Sequence, residues 1–79
     1  MKEKRYRLAD GGIITATTAT EFVRNLHKSS YFESRGTDNE YMISFRDRYH
    51  QLFGQAVNIS TPESFLSDLL EQRYVEIIE

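Results

Sequence analysis

Seventy-nine residues, 39% hydrophobic and 28% charged with a net charge of −2, describe one small globular domain (residues 1–79) and exclude a disordered chain. The absence of cysteine excludes disulfides and thiolate metal sites, and no apolar run approaches the roughly 20 residues of a membrane helix. The slight acidity argues against wholesale nucleic-acid affinity, although the charge is uneven: after residue 53, Arg73 stands alone against Glu63, Asp68, Glu71, Glu76 and Glu79.

Residues 4–9, KRYRLA, alternate polar and apolar, with Tyr6 and Leu8 on one side and Arg5 and Arg7 on the other. That is the period of a half-buried strand. Asp10-Gly11-Gly12 signals a turn, and residues 13–17 are β-branched except Ala16, so a hairpin is predicted. Thr18 and Glu21 have the spacing of a capping box, which starts a helix running to about residue 29 or 30. Its apolar stripe is Phe22, Val23 and Leu26.

Residues 33–38 form a polar connection, with Thr37 or Asp38 available to cap the next helix. From 39 to 53, Tyr41, Met42, Phe45, Tyr49, Leu52 and Phe53 fall on one helical face, and Gly54 ends the run as a left-handed cap. Residues 55–59 read as a short strand carrying Val57 and Ile59. Thr61 and Pro62 start a third helix, with proline at the first position, where its missing N–H costs nothing. Phe65, Leu66, Leu69 and Leu70 form its stripe, and residues 74–78, YVEII, read as a last strand.

Two stretches align without a gap, residues 14–32 and 57–75. Thr18, Phe22, Leu26 and Tyr31 match the identical Thr61, Phe65, Leu69 and Tyr74. Ile14/Val57, Val23/Leu66 and Asn25/Asp68 keep their physical character. The expectation is an internal pseudo-repeat of strand, cap and helix. The predicted fold is α+β in the order β-β-α-α-β-α-β, with three helices packed on one face of a small sheet. Phe22, Leu26, Phe45, Val57, Ile59, Phe65 and Leu69 are the predicted core.

No catalytic constellation stands out. His27 and His50 lie on different predicted helices, without the spacing of a zinc site. Glu21 and Glu63 each sit in a helix first turn, where capping and the macrodipole explain an acid. No nucleophile elbow, Walker or dinucleotide-binding pattern is present. The expectation is a non-enzyme with no cofactor and no metal.

Two kinds of partner remain. Lys4, Arg5 and Arg7 beside Tyr6, with Arg46 and Arg48 on the middle helix, are candidate nucleic-acid contacts, since cations meet phosphates and an aromatic ring stacks on a base. Tyr31, Tyr41 and Tyr49 are candidates for a protein interface, because tyrosine is enriched there. An unpaired C-terminal strand at the sheet edge offers a route to self-association. A protein-interaction module is the first expectation, with a homodimer as one form of it, and a nucleic-acid-binding accessory protein is the alternative.

The opening segment (YRLADGGIITATTATEFVRNL) and the ending (TPESFLSDL) are similar to a group of small bacterial proteins with no assigned activity. That group carries a D-G, T-A-x-[ST], E-F-V-x-x-L opening and a T-x-E-x-F-x-x-D-L ending. The resemblance implies a bacterial cytoplasmic protein of the mobile or accessory genome, and no residue-specific role. The opening MKEKRYR, which lacks the apolar stretch of a signal peptide, leads to the same expected location.

Overall fold

The computed structural model describes residues 2–29 and 36–78. In chain order it comprises β1 (Lys4–Leu8), β2 (Ile13–Ala16), α1 (Ala19–Ser29), α2 (Asp38–Phe53), α3 (Pro62–Glu71) and β3 (Val75–Ile77). The class is α+β, with three helices against a three-stranded antiparallel sheet ordered β2-β1-β3.

The alternation on β1 sets the two faces of the sheet. Tyr6 and Leu8 are buried, with Ile14 and Ala16 from β2 and Val75 from β3. Arg5 and Arg7 are exposed on the other face. The hairpin closes through Leu8 N–H to Gly12 O (2.8 Å) and Gly11 N–H to Leu8 O (2.9 Å). Gly11 sits at φ 97°, where an L side chain is strained.

Each helix starts on a threonine. The Glu21 amide donates to Thr18 Oγ1, the Glu40 amide to Thr37 Oγ1 and the Ser64 amide to Thr61 Oγ1, at 3.0–3.1 Å. At α2 the capping box is complete, since Glu40 returns a bond from the Thr37 amide. At α1 the reciprocal bond is displaced by one residue. Glu21 Oε1 accepts from Thr17, at 2.6 Å from its amide and 3.1 Å from its hydroxyl. Those bonds favour the carboxylate and hold the Glu21 carboxyl below its usual range. Gly54 ends α2 at φ 69°, donating to His50 O.

The core is a single cluster. Phe22, Val23 and Leu26 of α1 and Phe65, Leu66 and Leu69 of α3 meet the inner face of the sheet, and α2 adds Tyr41, Met42, Phe45 and Tyr49. Six of the seven predicted core residues are buried, and Ile59 is half-buried against the cluster.

Residues 55–59 keep the burial alternation of a strand, with Val57 at 4% exposure between exposed neighbours. They do not join the sheet, whose three strands are β2, β1 and β3. Side chains from the third helical region take the place of a neighbouring strand. Asp68 Oδ2 accepts from the Asn58 amide (2.8 Å), and Gln72 Nε2 donates to Ala56 O (2.8 Å). A backbone satisfied in this way has no need of a ladder. The matching position in the first aligned stretch is served alike, since Asn25 Nδ2 donates to Thr15 O (2.7 Å).

Just past the Gln72 cap of α3, Arg73 sits at φ 64°, the one positive-φ residue other than glycine among the described residues. The Tyr74 amide then reaches back to Leu69 O (3.0 Å). Left-handed backbone costs an L-residue roughly 1–2 kcal/mol, partly offset in glycine by its larger unfolded entropy. Arg73→Gly is therefore expected to stabilise the fold by about 0.5–1 kcal/mol, read from urea melts. A loss of stability would mean that the Arg73 side chain makes a compensating contact.

Candidate interaction surface

The five candidate cations do not converge. Arg5 and Arg7 lie on the open face of the sheet, with Arg7 opposite Glu76 and bonded to it at 2.8 Å. Lys4 has the parity of Tyr6 and so belongs to the other face. Arg46 and Arg48 are on α2, which packs on the helical side. Arg46 Nε stands 3.3 Å from Asp47 Oδ1, beside a shallow hollow with His50 and Gln51. Arg48 lines a different cleft. Arg5 and Arg7 thus face away from the helical side that carries Arg46 and Arg48.

The candidate tyrosines also sit differently from an exposed patch. Tyr41 and Tyr49 are each 5% exposed and belong to the core, and Tyr31 lies outside the described residues. A ring was needed at both positions to fill the space between α2 and the rest of the domain. Tyr41 stacks on His27 with centroids 4.8 Å apart, and Tyr49 meets Tyr74 edge-on at 5.4 Å.

Tyr41 and Tyr49, with Phe45 between them, form the floor of an open cleft of about 320 Å³. Phe45, Tyr49 and Phe53 run down one side of α2, at the i, i+4 spacing that puts residues above one another on a helix. Tyr74 and Leu8 close the opposite wall, and Asp10 and Arg48 supply charge. Phe53 leans over both Tyr49 (4.8 Å) and Tyr74 (6.0 Å) yet stays 53% exposed. Leu52, also in the lining, is 76% exposed.

Both residues were expected on the buried stripe. The last turn of α2 overhangs the core instead, since residues 50–56 are all exposed. Periodicity assigns a face to a residue but not the length of helix that finds something to cover it. The available signal was the position of Leu52 and Phe53 directly before the Gly54 stop, with polar residues following.

Chemically, the cleft is a place for apolar contact. Burial pushes the Tyr49 hydroxyl above its usual range, and burial with the nearby Asp10 charge does the same for Tyr74. Both therefore stay protonated and can donate hydrogen bonds at neutral pH. His27 is 6% exposed, its Nδ1 3.0 Å from Asp38 Oδ1, and it is not among the residues lining the cleft. Among the described residues, no group of three or more His, Asp or Glu side chains is placed to hold a metal ion, and no helix is long and apolar enough to cross a membrane. No protein-family model, curated protein or solved structure matches this chain.

Proposed function

We propose that this protein is a non-enzymatic protein-interaction module, which receives an apolar side chain of a protein partner in the cleft between α2 and Tyr74. The observation that carries the reading is Leu52, a large apolar side chain 76% exposed at an aromatic-walled cleft. Isolated exposed leucines are common on protein surfaces. This one adjoins the half-exposed Phe53 and a concavity of the size that receives side chains and small ligands. Aromatic walls with three tyrosines and the charged Asp10 and Arg48 match the composition of interface hot spots.

Covering a leucine completely contributes about 1.5–3 kcal/mol, so Leu52→Lys should weaken partner binding about tenfold to a hundredfold. The side chain is mostly exposed, so the fold should be unaffected. Affinity capture from the native cell, with wild type and Leu52→Lys compared by mass spectrometry, reads this directly. A protein enriched on wild type and lost on the variant is the expected result. Equal capture by both would remove the cleft from the proposal. Recovery of nucleic acid, with salt-sensitive binding that weakens when Arg5 and Arg7 are neutralised, would favour the alternative reading.

The aligned stretches 14–32 and 57–75 are, on the same footing, proposed to be copies of one unit. Their support is the shared threonine cap and the matched clasps of Asn25 on Thr15 and Asp68 on Asn58.

A further inference from the structure

The two edges of the sheet are finished differently. On β2 the outward carbonyl of Thr15 is capped by Asn25 Nδ2 at 2.7 Å, and the Thr17 amide just beyond by Glu21. On β3, the bonds Ala9 N–H to Tyr74 O (2.8 Å) and Ile78 N–H to Arg5 O (2.9 Å) bracket the facing pair Arg7 and Glu76. In an antiparallel ladder, alternate residues turn their backbone groups toward the neighbour. Glu76 therefore turns inward to β1, while Val75 and Ile77 turn theirs to the free edge. Val75 is 1% exposed and so closed off, but Ile77 is 47% and Ile78 39% exposed. Among the described residues, nothing bonds the Ile77 N–H or C=O. The stretch 75–78 also lacks the lysine, proline or bulge that commonly blunts an edge.

We propose that β3 pairs antiparallel with β3 of a second copy of this chain, about a two-fold axis at Ile77. Two registers are symmetric and close at hand, and charge and burial choose between them. Centring on Glu76 would set two carboxylates directly opposite each other, which is destabilising, and would require the buried Val75 backbone. Centring on Ile77 uses only what is exposed. The Ile77 N–H and C=O exchange both bonds with their symmetry mates, and the two Ile77 side chains cover each other. Glu76 then faces the second copy's Ile78 and keeps its own Arg7 at 2.8 Å. A six-stranded sheet results, β2-β1-β3-β3-β1-β2, whose outer edges are the capped β2 strands. Ile77 is not among the residues lining the aromatic cleft, so this pairing stands independently of the function proposed there.

Cysteine crosslinking tests both the pairing and its register, and the chain has no cysteine of its own to interfere. Facing hydrogen-bonded residues lie about 5.5 Å apart between Cα atoms, within the span of a disulfide, whereas diagonal neighbours lie about 7–8 Å apart. Under mild oxidation, Ile77→Cys should form covalent dimers. Glu76→Cys and Ile78→Cys should each fail alone and crosslink when mixed. Sedimentation of the unmodified chain should show concentration-dependent dimers. Ile77→Pro removes the outward N–H without touching the ladder to β1, since edge strands accept proline where the N–H faces out. It should sediment as a monomer. Ile77→Lys, which keeps the backbone, should weaken dimerisation at least about tenfold. A wild-type chain monomeric at every concentration, a folded Ile77→Lys variant that dimerises unchanged, or Glu76→Cys crosslinking efficiently on its own would overturn the proposal.

Discussion

Phe65→Ala is expected to cost about 3–5 kcal/mol, and Phe22→Ala as much, against a total stability of the order of 5–15 kcal/mol for a protein domain. Both rings are fully buried. Phe22 meets Tyr6 edge-on at 5.0 Å, and Phe65 meets Phe45 edge-on at 5.2 Å. Truncation removes the transfer energy of the ring, opens a cavity and forfeits an aromatic pair worth roughly 0.5–1.5 kcal/mol beyond its area. In so small a domain the surroundings have little freedom to collapse into the space. The two phenylalanines sit on helices that contact each other directly. Their double variant should therefore depart from additivity, because the second truncation enlarges a cavity already open. Urea melts of the singles and the double decide the matter. A single loss below about 1 kcal/mol would mean that the site had repacked around the missing ring.

Much of the fold was legible because local signals and burial pointed the same way. The alternation of Tyr6 and Leu8 against Arg5 and Arg7 is the parity of β1. The threonines at 18, 37 and 61 start the helices, and Gly54 closes α2. A threonine two or three residues before an acid, with a proline directly after it at Thr61, leaves few alternatives to a helix start. Residues 55–59 were harder. Their apolar alternation describes which side chains go in, and that pattern is shared by a strand and by an extended segment held by side chains. Which of the two forms depends on whether Asp68 and Gln72 reach the backbone first, a tertiary fact absent from any short window.

The site was less legible than the fold. Composition identified tyrosines and arginines as the residue types to watch, but not which would reach solvent. Tyr41 and Tyr49 went inward because α2 packs through large rings. Leu52 and Phe53 went outward because the helix outruns the layer beneath it. The cations scattered because Arg5 and Arg7 point from β1 to the open face of the sheet, whereas Arg46 and Arg48 sit on α2 on its helical side. The cleft itself joins Leu8 and Asp10, Leu26 and Ser29 of α1, one side of α2 and Tyr74, four regions distant in sequence. No local pattern could have assembled it.

Phe45→Ala should likewise cost about 3–5 kcal/mol, but its effect should be unevenly spread along α2. The N-terminal half of α2 has its own anchors. His27 stacks on Tyr41 at 4.8 Å, with its Nδ1 3.0 Å from Asp38, and Arg24 Nε lies 3.8 Å from the same carboxylate. The C-terminal half depends on rings. Phe45 contacts Tyr49 (5.8 Å), Phe65 (5.2 Å) and Tyr74 (5.7 Å), and beyond it only Tyr49 is buried. Removing that centre should release the turns from Arg46 to Phe53 while the first turns stay docked. Native-state hydrogen exchange resolves the difference, because local openings appear as faster exchange in one contiguous unit. Amides of residues 49–53 should lose more protection than those of residues 42–45 or of α1. A uniform loss along α2 would mean that the helix opens as one body, with His27 and Asp38 contributing little. The same variant removes the floor of the cleft, so binding of the partner proposed for it should be lost along with the protection of those turns. Leu52→Lys should lose the proposed partner while leaving the exchange pattern intact, separating a side chain proposed to bind from a ring that holds the proposed surface in place.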